Sequence, residues 1–302
     1  MNRVEFYLNK RAGEQLEVGT ILFSNVYGKL AETSKVPELA RKIMKQAEKK
    51  AHDQCADKER NQINRKRGEN TMSGILYGLG VGPGDPELLT LKALRLIREN
   101  PVIAVPGNDI KASVAYQIVK GAYPKLDEKE LIPVAMPMTK DRAVLEDNHN
   151  KAADAVESYL KQGKNVVFLT LGDPTIYSTY LYVHKRILER GYQAEIVSGI
   201  TSFCAVAARL NMGLAEMAEP LHVIPATYKA EEMDDLLKLP GTKVLMKSGK
   251  RLKKVRDSIL RSGQNAVMIE NCGMPEEKIY ASAKEIPEEA GYYTLLVVKD
   301  KK

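Results

Sequence analysis

The chain has 302 residues, 44% of them hydrophobic and 28% charged, an ordinary balance for a soluble globular protein with room for two domains. No apolar run reaches the ~18–20 residues a membrane-spanning helix needs, and the N-terminal MNRVEFYLNKRAGEQ lacks the apolar centre of a secretory signal; the expectation is a cytoplasmic protein with no membrane partner. Of the formal net charge of +7, residues 1–71 hold +5 (15 Lys and Arg against 10 Asp and Glu), so the body is nearly neutral and a nucleic-acid partner is not expected.

Residues 1–71 read as a basic extension. VEFYL and TILFSNVYGKL have the look of two short strands, and from Val36 a helical stripe brings Leu39, Ile43 and Ala47 to one face. The stripe fades near Ala56 into the polar linker KERNQINRKRGENT. Met72 stands at the start of the organised body, which divides into residues 72–220 and 221–302.

From Ile75 onward strands are predicted at ILYGLGV, PVIAV, NVVFLTL and AEIVSG, with helices at 86–99, 111–121, about 141–161, 176–190 and 201–211. This alternation predicts an open, mainly parallel sheet covered by helices, an α/β domain. After Pro220 the pattern restarts with LHVIPAT, a helix over 230–238, TKVLMKS, a helix over 250–261 and NAVMIEN, and closes on YYTLLVV as an antiparallel edge.

The first strand runs into GLGVGPGDPELLTLKA, Gly78 to Ala93. A dinucleotide turn needs Gly-x-Gly-x-x-Gly, but counting six from Gly78, Gly80 or Gly82 lands on Pro83, Asp85 or Glu87. A phosphate loop needs a Gly-Lys-Ser/Thr ending, which is absent, and Pro83 has no amide to offer an anion. Asp85 is suited to cap the following helix and Pro86 to open it, with Leu88, Leu89, Leu91, Leu94 and Ile97 as its apolar face. Two readings stay open: a tight turn with no ligand, or a close backbone approach to a ligand at the carboxyl edge of the sheet.

Two further strand ends repeat the signal, Gly172-Asp173-Pro174 after NVVFLTL and Gly199-Ile200-Thr201-Ser202 after AEIVSG. Three such junctions on one edge would build a cleft from backbone groups and short side chains. Other chemistry is missing. His52, His149, His184 and His222 lack metal-ligand spacing, and the three cysteines, Cys55, Cys204 and Cys272, suggest neither disulfides nor zinc; Cys204 and Cys272 read as inert packing residues. No Gly-x-Ser-x-Gly elbow occurs.

Taken in order and spacing, GVGPGDPELLTLKA, LGDPTIYST, SGITS and VLMKS resemble the tetrapyrrole methylase family from about Met72 to the C-terminus. The resemblance implies two α/β domains, a homodimer, and S-adenosylmethionine (SAM) held in the cleft between the domains. By motif, the implied SAM contacts are Pro83, Leu171, Gly172, Asp173, Ile176, Thr201, Ser202 and Met246. Where uroporphyrinogen methylases carry Tyr-Asp, this chain has Val105-Pro106, and the second motif of the RNA methylases of this fold is replaced by GDPTIYST. That combination is most similar to the branch methylating C-20 of precorrin-2 or cobalt-factor II in corrin ring synthesis. Another precorrin or uroporphyrinogen III C-methyltransferase, or an RNA methylase of the same fold, remains the alternative.

The implied reaction joins a methyl group to an electron-rich macrocycle carbon, which calls for positioning and exclusion of water more than for a strong acid or base. No catalytic residue and no metal site is assigned. Tyr177 and Tyr116 are candidate cleft groups, and Lys247, Lys250 and Arg251, past a strand end, are candidates for pairing with substrate carboxylates. A chain beginning at Met72 is expected to fold and to bind SAM, measured by calorimetric titration; an insoluble product or complete loss of binding would overturn the division at residue 72.

Overall fold

The computed structural model describes residues 73–300 apart from 138 and 140, so the strands and helix expected within residues 1–71 lie outside the described residues. Two five-stranded sheets lie in one compact unit, Asn70–Lys302. The first comprises β1 (Ile75–Gly80), β2 (Val102–Pro106), β3 (Glu130–Val134), β4 (Val166–Thr170) and β5 (Gln193–Val197), in the order β3-β2-β4-β1-β5. All its pairings are parallel. Helices α1 (Leu91–Glu99), α2 (Val114–Ala122), α3 (Arg142–Leu160) and α4 (Tyr180–Glu189) connect the strands, as alternating apolar runs and amphipathic segments predict.

Strand residues alternate between two buried faces, as the two-residue period requires. Ile103, Val105, Val167 and Leu169 join one core cluster with Leu96 and Ile97 of α1 and Val119 of α2. Val102, Ala104, Val166 and Phe168 join the other with Val156 of α3 and Val183 of α4. With both faces covered, the central strands are almost wholly apolar, which made them legible.

Residues 86–99 are not one helix. Asp85 accepts a hydrogen bond from the Glu87 amide (2.8 Å) and caps a short 3-10 turn, Pro86–Leu88, as its sequence position suggested. The chain then extends through Leu89, and Thr90 caps α1 by accepting from Ala93 (3.2 Å). The register therefore differs from the expected leucine stripe: Ala93, Leu96 and Ile97 face the core, and Leu91 is 86% exposed.

The second sheet holds β6 (Leu221–Pro225), β7 (Thr242–Met246), β8 (Asn265–Glu270), β9 (Lys278–Tyr280) and β10 (Thr294–Lys299), in the order β6-β7-β10-β8-β9. YYTLLVV was expected at an antiparallel edge. It is antiparallel, but β10 lies inside the sheet, between β7 and β8. The predicted helix over 230–238 is a series of short turns, Ala226–Lys229, Ala230–Glu232 and Met233–Leu236. Helix α6 (Leu252–Ser262) covers one face through Leu252, Val255 and Ile259.

The other face is covered from the first sheet's side. Helix α5 (Ser202–Arg209) starts in the turn after β5 and packs Val206 against Val244, Ile269, Leu295 and Val297 of the second sheet. Cys204 on this helix is exposed, so it is not the packing residue the sequence suggested.

Glycines let three strand ends of the first sheet meet backbone to backbone. A Cβ added at Gly80 would sit 2.5 Å from the Gly199 amide nitrogen and 2.6 Å from the Gly172 carbonyl oxygen, both backbone atoms that cannot swing aside. Gly80→Ala is expected to lower stability by about 1–3 kcal/mol through overpacking. Gly213→Ala, where the new carbon meets only a side chain at 3.7 Å, should stay within about 0.5 kcal/mol of wild type. Denaturant melts of the two variants check this, and equal effects would refute it.

Candidate functional site

The carboxyl ends of β1, β2, β4 and β5 open on a cavity of about 560 Å³ closed on its far side by the second sheet. That volume lies within the ~300–1,000 Å³ of small-molecule sites, and the carboxyl edge is where open parallel sheets bind ligands. Pro83, Leu171, Gly172, Asp173, Ile176, Thr201, Ser202 and Met246, drawn from four separate segments, all line it.

The first loop is built by its neighbours. The Val81 amide donates to Thr170 O (2.9 Å), and Gly82 and Gly172 exchange backbone hydrogen bonds (2.8 and 3.3 Å). Gly82 has φ +78°, a left-handed conformation that suits glycine. Gly84 crosses to the other half of the molecule, where an added Cβ would stand 2.2 Å from Cys272 O in the segment after β8. The glycines thus answer close packing between backbones, and buried Pro83 forms the cavity wall between them.

Asp173 ties two strand ends together. One carboxylate oxygen accepts from the Thr175 amide (2.8 Å) and hydroxyl (2.5 Å), the other from the Gly199 amide (3.0 Å). Burial pushes the carboxyl pKa up, but the hydrogen bonds from Thr175, Gly199 and Ser198 outweigh it and hold the group below its ordinary value. Asp173 therefore shapes the turn that lines the cavity. Asp109, the other carboxylate among the lining residues, likewise accepts from backbone, at Lys111 N (2.9 Å) and Ala112 N (3.3 Å).

Two buried hydroxyls of the lining, Thr170 Oγ1 and Thr201 Oγ1, have no hydrogen-bond partner. A buried hydroxyl without a partner is costly, and both belong to residues that line the cavity. Thr170, at the end of β4, is a lining residue that sequence reasoning missed, because it reads there as one more β-branched strand residue. Tyr292, Tyr293, Thr294 and Leu295 were missed as well; they reach the cavity only because β10 lies inside its sheet, with Leu295 opposite Met246.

Of the two tyrosines singled out from the sequence, Tyr177 lines the cavity. Tyr116 does not: it is buried and its hydroxyl donates to Asp127 (2.6 Å). Lys247 lines the cavity, whereas Arg251 faces a separate groove beside α6. Cys272 lines it too, and burial pushes its thiol up to about 11, leaving it a protonated packing group. Among the described residues no cluster of His, Cys, Asp and Glu is arranged to hold a metal, and no helix is long and apolar enough to cross a membrane.

Comparison with known proteins agrees with this fold. A family described as Tetrapyrrole (Corrin/Porphyrin) Methylases matches residues 75–287. A precorrin-2 C(20)-methyltransferase from Sinorhizobium sp is 32% identical over 239 residues, spanning 75% of this chain and 97% of the relative. A probable cobalt-precorrin-2 C(20)-methyltransferase from Methanocaldococcus jannaschii is 41% identical over 167 residues, 55% of this chain and 70% of its own. Among solved structures, a uroporphyrin-III C-methyl transferase from Thermus thermophilus complexed with S-adenosyl homocysteine shares the fold, with TM-score 0.56, 24% identity, and coverage of 75% of this chain and 97% of that one.

The Asp173 tie carries a pH signature. A carboxyl held below its unfolded-state pKa of ~3.9 adds stability that is fully present above that value and is lost as the pH falls through the folded-state value. Asp173→Asn is expected to cost about 1–3 kcal/mol at pH 7, with the gap to wild type narrowing below about pH 4. Urea melts across that range test it, and a gap constant with pH would show that the carboxylate charge plays no part.

Proposed function

The chain belongs to the tetrapyrrole (corrin/porphyrin) methylases, and from that premise we propose that it methylates C-20 of precorrin-2 or of its cobalt-bearing counterpart, with SAM as methyl donor. The supporting observation is that eight residues from four motifs, far apart in sequence, line one cavity at the carboxyl edge of the first sheet. The C(20)-methyltransferase names of relatives covered almost end to end support the choice of carbon. Residues 72–220 and 221–302 form the two halves of the enzyme in this reading, which acts in the cytoplasm as a homodimer.

The residues fit the proposed cosubstrate. Thr170 and Thr201 offer unpartnered hydroxyls, and the turns at Pro83 and Leu171–Asp173 offer backbone at close range. SAM would supply an electrophilic methyl group and leave as a neutral thioether, while the methylated carbon gives up one proton, for which no residue of this chain is assigned as acceptor. The chain's own part is to orient and to exclude water. Apolar Leu171, Ile176, Val206, Met246 and Leu295 line the cavity around the few polar groups, and such a setting favours methyl transfer through alignment and desolvation. Asp173 is engaged by donors from Thr175 and Gly199 and serves to hold the Gly199 turn in place.

The test is to incubate the protein with SAM and either precorrin-2 or cobalt-factor II, then to read product mass and methyl position by NMR. One added methyl at C-20 is expected with one of the two. Methylation of neither substrate, or a methyl at another carbon, overturns the assignment.

A further inference from the structure

Among the described residues lining the cavity, Lys247 is the one cationic side chain. Several arginines and lysines elsewhere on the surface are held in ion pairs, such as Arg190 with Asp154 and Glu157 or Lys253 with Glu288. Lys247 has instead an aromatic ring and a carbonyl. Its ammonium stands 5.6 Å from the Tyr177 ring centroid and 3.5 Å from Tyr177 O.

Both residues have a backbone conformation rare for non-glycine side chains, φ +57° at Lys247 and +50° at Tyr177. Each is held from the second half of the molecule. Thr227 Oγ1 donates to Lys247 O, and the Tyr177 hydroxyl donates to Val223 O (3.3 Å). Tyr177 is 47% exposed, so burial does not account for its conformation. Two left-handed residues, one following each sheet's strand, therefore meet across the cavity, and the contact they make is weak and replaceable.

We propose that Lys247 is a specificity-determining residue that pairs with one acidic arm of the substrate, and that Tyr177 holds its ammonium in place until that arm arrives. This rests on the functional reading above, which supplies a polycarboxylated macrocycle as substrate. The half-buried cation exchanges a ring face for a carboxylate, and a charge-assisted hydrogen bond formed there is stronger than the contact it replaces. Pairing fixes the macrocycle's rotation relative to the methyl donor, so the residue selects which carbon is presented. Tyr292 and Tyr293, packed edge to face at 5.3 Å on the same lining, add an apolar surface for a flat ring.

The probe is uroporphyrin III, a fluorescent polycarboxylated tetrapyrrole, titrated into wild type, Lys247→Met and Lys247→Arg. Lys247→Met is expected to weaken its binding about ten- to a hundredfold, and Lys247→Arg to keep it within about threefold. Wild-type affinity should fall with added salt more steeply than that of Lys247→Met. S-adenosylhomocysteine binding, by calorimetry, should stay within about threefold in both variants, which also reports an intact fold. Unchanged uroporphyrin binding by Lys247→Met, or an equal loss of S-adenosylhomocysteine binding, overturns the role of Lys247 even if wild type methylates C-20. Lysine-dependent binding without methylation of any tetrapyrrole upholds that role and overturns the proposed reaction.

Discussion

The geometry of the site depends on three glycine backbones in contact. Gly80, Gly172 and Gly199 end or follow neighbouring strands, and a side chain on Gly80 or Gly199 would collide with main-chain atoms of the other strand ends. Because these turns approach so closely, one carboxylate can reach across them, and Asp173 joins the β4 turn to the Gly199 amide. The turn after β5 in turn sets where α5 begins, and α5 packs Val206 on the second sheet. A local backbone contact thereby fixes the distance between the two halves and the width of the cavity between them.

The same contact explains the glycine-rich loop after β1. Its composition suggests phosphate, yet its spacing fits no phosphate template, and in the structure its glycines answer close contacts with the protein's own atoms. Gly78 lies under the Tyr180 ring, Gly80 against Gly199, Gly82 adopts a left-handed turn and Gly84 touches Cys272 O. Pro83 is left as the residue turned to the cavity.

Much of this was readable from the sequence, and the misses have physical causes. The central parallel strands were legible because both faces are buried, so that VVFLT and VIAVP stand out as unbroken apolar runs. The edge strand β3, ELIPV, escaped notice because its solvent-facing positions take Glu130 and Pro133, a composition that reads as loop. Three-residue β9 is too short to show a period. Leu91 was misassigned since Thr90, rather than Asp85, caps the helix and shifts its face. The eight motif residues were legible through resemblance and lie on one cavity, but Thr170 and the Tyr292–Leu295 segment were hidden, since their positions follow from long-range pairing that no local pattern reveals.

The position of β10 bears on how the chain reaches this state. Until residues 294–299 arrive, β6 and β7 form one pair and β8 and β9 another, with nothing hydrogen-bonding the two together. During synthesis the first sheet has all its strands long before that point, with its binding edge formed but its far wall missing. Closure of the site is thus coupled to the last strand described, through pairing that is non-local in sequence, a kind of contact that generally forms later than local ones. In this arrangement the cleft's apolar lining stays exposed for as long as the second sheet waits, and the site is complete only once β10 has joined the sheet.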